Sequence, residues 1–162
     1  CLTFVNQGKL YMGEEIFMPC SPKSVVTILN RLNINLEGMD VVVIGRSNIV
    51  GKPAGALLLK ENCTVTMCHS KTKNLREVCK RSDILVVAIG KAKFIDDSFV
   101  KEGAIVIDVG TNSVQGKITG DVDFDKVIDK ASFVTPVPGG VGALRTTLLM
   151  KNACEAIEKY ED

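Results

Sequence analysis

Apolar residues along this chain fall into short runs of mostly β-branched side chains, separated by segments with helical spacing. Val41-Val42-Val43-Ile44 is a continuous apolar run, which suits a strand buried on both faces. Four more runs read as strands: Thr64–Cys68, Ile84–Ala88, Ala104–Val109 and Ser132–Val134. Between them the pattern predicts a helix through Ala54–Lys60 opened by Pro53, a polar helix near Asn74–Arg81 and a short one near Asp97–Val100. Another short helix falls within Asp121–Lys130, and a last long one covers Val141–Lys159. Upstream, Val25, Ile28, Leu29 and Leu32 recur at helical spacing after Ser21-Pro22, which reads as an N-cap residue before a proline at the first helical position. Asn35–Asp40 is a polar connection, and Thr111–Gly120 reads as an excursion with tight turns. Cys1–Cys20, with mixed polarity and several glycines, reads as an irregular, linker-like approach.

Alternating strands and helices at this spacing require right-handed crossovers, hence a parallel sheet covered by helices on both faces. The expected fold is a three-layer, Rossmann-type α/β domain over residues 21–162, preceded by a linker segment over 1–20. In such sheets ligands bind beyond the carboxyl ends of the strands, at the point where the strand order reverses. Most of the expected strands run directly into loops rich in Gly, Ser or Pro-Gly, so those loops are expected to line one cleft.

Composition narrows the class. A chain of 162 residues suits one domain, large enough to stand without a disulfide or metal staple. The 20 basic and 19 acidic residues are dispersed and Trp is absent, so neither a nucleic-acid surface nor a membrane surface is expected. The six cysteines form no Cys-x-x-Cys pair and there is one His, which argues against a zinc site. Reduced thiols in a cytoplasmic protein are the expectation. No apolar stretch is long enough for a membrane span, and no signal peptide opens the chain. Cys1 stands where a Met would start a protein, and Cys-Leu-Thr-Phe-Val reads as the middle of something longer.

Two loops carry candidate chemistry. Gly45-Arg46-Ser47-Asn48-Ile49-Val50-Gly51-Lys52 joins the first strand of the sheet to a helix, whose amino terminus offers free N–H groups and a partial positive charge to a phosphate. The spacing is not Gly-x-Gly-x-x-Gly, and the glycines by themselves also fit a plain turn. The next strand ends in Cys68-His69-Ser70-Lys71, with no carboxylate before Glu77. An acidic residue there would hold the ribose hydroxyls of NAD, whereas basic and hydroxyl groups suit the 2′-phosphate of NADP. Arg46 offers a planar donor fork for that phosphate, so NADP is favoured; the alternatives are a loop histidine and a surface arginine without a ligand. Pro136-Val137-Pro138-Gly139-Gly140-Val141-Gly142 must be a loop, either presenting amides to a flat ring or simply connecting a strand to a helix. Asp108, Asp121, Asp123 and Asp125 lack the spacing of a calcium loop, and capping of the following helix is their expected role.

Several long motifs, in order, resemble one family over essentially the whole chain. Pro19-Cys20-Ser21-Pro22, Val43–Pro53, Thr64–Ser70, Asp108–Asn112, Gly120–Phe124 and Thr135–Gly142 look like the bifunctional methylenetetrahydrofolate dehydrogenase/methenyltetrahydrofolate cyclohydrolases. The resemblance implies oxidation of 5,10-methylenetetrahydrofolate by NADP, then hydrolysis of the methenyl product to 10-formyltetrahydrofolate, in one-carbon metabolism. It further implies that Gly45, Arg46 and Ser47 contact the cofactor phosphates, with Ser70 near the 2′-phosphate and Thr111 at the nicotinamide end. Pro138, Gly139, Gly140, Val141 and Gly142 would line the folate side, and the family's homodimer forms through this domain. No catalytic residue is expected here. The family's Tyr-x-x-x-Lys motif is absent, because Tyr11 is followed four residues on by Glu15 and Tyr160 stands two residues from the end. The family's folate-binding Asp is missing too, and Ala143-Leu144-Arg145 replaces the usual Pro-Met-Thr after Gly142. The expectation is therefore a cofactor half, binding NADP weakly or moderately and with little or no turnover of its own, of an enzyme whose amino-terminal catalytic domain lies elsewhere. The competing readings are a non-catalytic nucleotide-binding module and the cofactor domain of an unrelated two-domain dehydrogenase.

Overall fold

The computed structural model describes residues 2–14 and 17–160, so Cys1 lies outside it. Five parallel strands form one sheet in the order β2-β1-β3-β4-β7, with β1 Asp40–Ile44, β2 Thr64–Cys68, β3 Ile84–Val87, β4 Ile105–Asp108 and β7 Phe133–Val134. All five expected strands are present, and the structure confirms the three-layer, Rossmann-type α/β class. Helices α2 Cys20–Arg31, α3 Gly51–Lys60, α4 Leu75–Cys79, α5 Phe124–Val127 and α6 Val141–Tyr160 cover the sheet, with a 3-10 turn at Asp97–Phe99.

The continuous apolar runs are explained by two separate cores. Val41, Val43, Ile84, Val86, Ile105 and Ile107 point to one face, where they meet Val25 and Leu29 of α2, Leu58 of α3 and Val141 of α6. Their alternates Val42, Ile44, Leu85, Val87 and Val106 point to the other face, against Cys79, Phe99 and Val127. Because successive strand residues face opposite ways, a sheet covered on both sides needs apolar residues at every position.

The structure corrects the reading in four places. The approach expected to be irregular holds a helix, α1 Phe4–Tyr11, capped by Thr3, whose side chain accepts from the Asn6 N–H at 3.3 Å. Gly8 weakens this helix, but Leu10 is buried and α1 packs on α3, so tertiary contact overrides the local signal. Helix α2 begins at Cys20 with Pro19 at the cap, so Ser21 is not its N-cap. Pro22 still falls in the first turn, where its missing N–H costs nothing. Helix α3 begins at Gly51, two residues before Pro53, because Ser47 draws the Val50 and Gly51 amides into a turn. Finally, the excursion after β4 is a β-hairpin of β5 Asn112–Val114 and β6 Lys117–Thr119. Gln115 and Gly116 take positive φ at its tip, as a two-residue hairpin turn requires.

Candidate functional site

Neighbouring β1, strand β2 lies on one side and β3 on the other, so the strand order reverses at the carboxyl ends of β1 and β3. Gly45 closes β1 there, its N–H donating to the Cys68 carbonyl at 2.9 Å while the Ala88 carbonyl stands against its Cα. With φ at 126°, Gly45 takes a turn that a side chain would block. Gly51 is likewise packed on the carbonyl of Gly45, which draws the start of α3 against the end of β1. The Ser47 hydroxyl oxygen accepts from the Val50 and Gly51 amides at 3.1 and 3.3 Å, leaving its own O–H free to donate.

Beyond these strand ends opens a cavity of about 420 Å³ lined by residues of three loops, among them Gly45, Arg46, Ser47, His69, Ser70 and Lys91. Its lining holds two lasting cations, Arg46 and Lys91, and no carboxylate. Among the described residues no acid pairs with Arg46, whose side chain is exposed. His69 is held by its own loop, with Nδ1 accepting from the Lys71 N–H at 3.1 Å and its backbone N–H donating to Thr72 Oγ1 at 2.9 Å. A helix start, a tight glycine approach and unpaired cations suit a phosphate-bearing ligand. The ammonium of Lys91 lies 5.4 Å from the Phe94 ring centroid. Sequence reasoning missed both of these residues. The signal for Lys91 was the Gly90-Lys91 pair after β3, at a strand end adjoining β1.

A second cavity of about 320 Å³ opens at the carboxyl ends of β4 and β7. Its lining brings together Pro138, Gly139, Gly140, Val141 and Gly142 with Gly110 and Thr111. Thr111 therefore sits in this second cavity and not in the Arg46 cavity. Arg145, from the segment that departs from the family pattern, lines it as well.

Three of the aspartates, Asp108, Asp121 and Asp123, correct the expectation of helix capping. Asp123 occupies the N-cap position of α5 but makes no side-chain cap hydrogen bond; its carboxylate pairs with Lys93 at 3.3 Å and Lys126 at 3.2 Å. Asp108 is 2% exposed and accepts from the amides of Gly110, Asp121 and Val122 at 2.8, 3.1 and 2.9 Å. Burial pushes its pKa up to about 6 against the pull of those three donors, and the neighbouring Asp121 charge adds to the rise. Asp121 is completely buried and accepts from the amides of Ile89, Gly90 and Lys91 and from the Asn112 side chain. Among the described residues no group of three or more metal-ligating side chains converges. The five described cysteines are free thiols, and burial raises the pKa of Cys68 and drives that of Cys79 up to about 12. Neither is a ready thiolate nucleophile.

A parallel sheet with a cationic, carboxylate-free cavity at its reversal point defines a dinucleotide-binding domain. Residues 19–161 match the NAD(P)-binding domain of tetrahydrofolate dehydrogenase/cyclohydrolase, and the chain belongs to that family. The bifunctional protein FolD of Clostridium botulinum (strain Alaska E43 / Type E3) is 72% identical over all of this chain, which spans 57% of that protein. Among solved structures, the FolD methylenetetrahydrofolate dehydrogenase/cyclohydrolase of Campylobacter jejuni superposes with a TM-score of 0.94 at 44% identity, covering 98% of this chain and 57% of that one. The Trypanosoma brucei enzyme, solved with NADP cofactor and an inhibitor, gives 0.92 at 37% identity with the same two coverages.

Proposed function

We propose that this chain is the NADP-binding half of a bifunctional enzyme that oxidises 5,10-methylenetetrahydrofolate to the methenyl compound and hydrolyses that product to 10-formyltetrahydrofolate. The observation that carries the reading is the cavity at the strand reversal, with Arg46 and Lys91 in its wall and no acid. Such a wall fits a nucleotide bearing a 2′-phosphate, because a carboxylate at the end of β2 would repel it. Gly45 and Gly51 leave the room a pyrophosphate needs, and the Ser47 hydroxyl and the start of α3 present donors to it. Arg46 and Ser70 take the 2′-phosphate. Pro138–Gly142 form one wall for the pteridine, with Thr111 where the nicotinamide meets it. When bound, NADP supplies the acceptor for a hydride. This chain's residues bind and orient the two ligands; the group that moves protons in the hydrolysis belongs to another domain.

Residues 21–162 form the cofactor domain, and α1 docks on it as part of the approach from a preceding catalytic domain. Exposed apolar side chains support a neighbour on these helices: Phe4 and Met12 on or beside α1, and Leu149, Met150 and Ile157 on α6. The domain also forms the homodimer, for which the open edge of β2 is available. The enzyme works in the cytoplasm; no helix among the described residues is long and apolar enough to cross a membrane.

The test is spectrophotometric. The full-length protein, given 5,10-methylenetetrahydrofolate and NADP, is expected to produce NADPH, while residues 1–162 alone produce none above background. Turnover by the isolated chain near that of the full-length protein would overturn this division of labour.

A further inference from the structure

Two cavities on adjacent strand ends need their walls held in one register if ligands in them are to react. Their walls meet at one buried carboxylate. Asp121 Oδ2 accepts from the Ile89 and Gly90 amides at 2.7 and 2.9 Å, and Oδ1 accepts from the Lys91 amide at 2.8 Å. Ile89 and Lys91 are part of the Arg46 cavity. Oδ1 also accepts from Asn112 Nδ2 at 2.9 Å, at the root of the β5–β6 hairpin. The same carboxylate lies against Gly110, where any Cβ would collide with it, and Gly110 lines the second cavity. Asp108, on that cavity's wall, accepts from the Asp121 backbone N–H at 3.1 Å. Neither Asp121 nor Asn112 lines either cavity, so neither is placed to touch a ligand.

We propose that Asp121 is a positioning residue for hydride transfer: it ties the β3 loop, which walls the nucleotide cavity, to the Gly110–Asn112 segment, whose Gly110 and Thr111 wall the folate cavity. The inference rests on the functional reading above. Four charge-assisted hydrogen bonds on one carboxylate make the tether stiff. A displacement of about 1 Å between reacting atoms costs on the order of a hundredfold in rate. Loss of the tether therefore acts on kcat before it acts on binding.

Asp121→Asn keeps the shape but turns one accepting oxygen into a donor, so one pair of partners loses its acceptor. In the full-length protein this variant is expected to lose at least about tenfold in dehydrogenase kcat. Its Kd for NADP, read by calorimetry, is expected to stay within about threefold of the parent, because Arg46 and the α3 start are untouched. A folded variant, verified by circular dichroism, with kcat within about twofold of the parent would overturn the proposal. If Asp121→Asn does not fold, Asn112→Ala decides: removing one of the four donors is expected to lower kcat about threefold with KM for NADP unchanged, and an unchanged kcat overturns the tether. A parent protein that binds no NADP and oxidises no folate is a different result, since it removes the functional reading itself and this inference with it.

Discussion

A methyl group on Gly45 would meet the Ala88 carbonyl, and with φ at 126° the backbone there is closed to ordinary side chains. Gly45→Ala is expected to cost at least about 2 kcal/mol in a denaturant titration, and to weaken nucleotide binding, because β1 and β3 can no longer meet at the cavity floor. Asp108 makes a prediction about pH. Its pKa in the folded protein, about 6, lies above its ordinary value of 3.8, so the folded state holds the proton more tightly than the unfolded chain. The resulting stabilisation is fully present below about pH 4 and is lost as pH rises through about 6, a change of roughly 3 kcal/mol at most. Asp108→Asn carries no charge to bury. In thermal melts from pH 4 to 7 the variant is expected to gain steadily on the parent, and a constant gap over that range would contradict the cost of burying this charge.

At the scale of elements, Leu29 on α2 is fully buried against the β1 and β3 face and lines neither cavity. Leu29→Ala should therefore lower stability by about 2–5 kcal/mol and leave the Kd for NADP unchanged at a temperature where the protein stays folded. Val41–Ile44, Ile84–Val87 and Ile105–Ile107 were legible in the sequence because strands buried on both faces leave no polar position to confuse the pattern. Helix α1 was not, because Gly8, Gly13 and exposed Phe4 and Met12 hide a helix whose support is one buried side chain, Leu10, on α3. The start of α2 was misplaced because Ser21-Pro22 imitates a cap, whereas the N-cap position falls on Pro19, which makes no side-chain cap hydrogen bond. That Gly45, Arg46, Ser47 and Ser70 share one cavity was legible from loops that follow two adjacent strands, and the Pro138–Gly142 loop from a composition that only a loop accepts. The Asp108–Asp121 arrangement was invisible, since the amides it satisfies lie up to 32 residues away along the chain.

At the scale of the whole molecule, the strand order places the Gly45–Gly51 loop and the proline-glycine loop along one edge of one sheet. One domain can then hold a nucleotide in one cavity and present its reacting end to the next. The chain spans 57% of the curated Clostridium botulinum relative. In the proposed function, the Arg46 cavity selects a nucleotide by its 2′-phosphate. Calorimetric titration of the chain with NADP and with NAD, alongside Arg46→Ala, tests it most directly. NADP is expected to bind at least about tenfold more tightly than NAD, with that preference lost in the variant while NAD affinity barely changes. Equal binding of the two nucleotides, or a preference that survives the loss of Arg46, would contradict it.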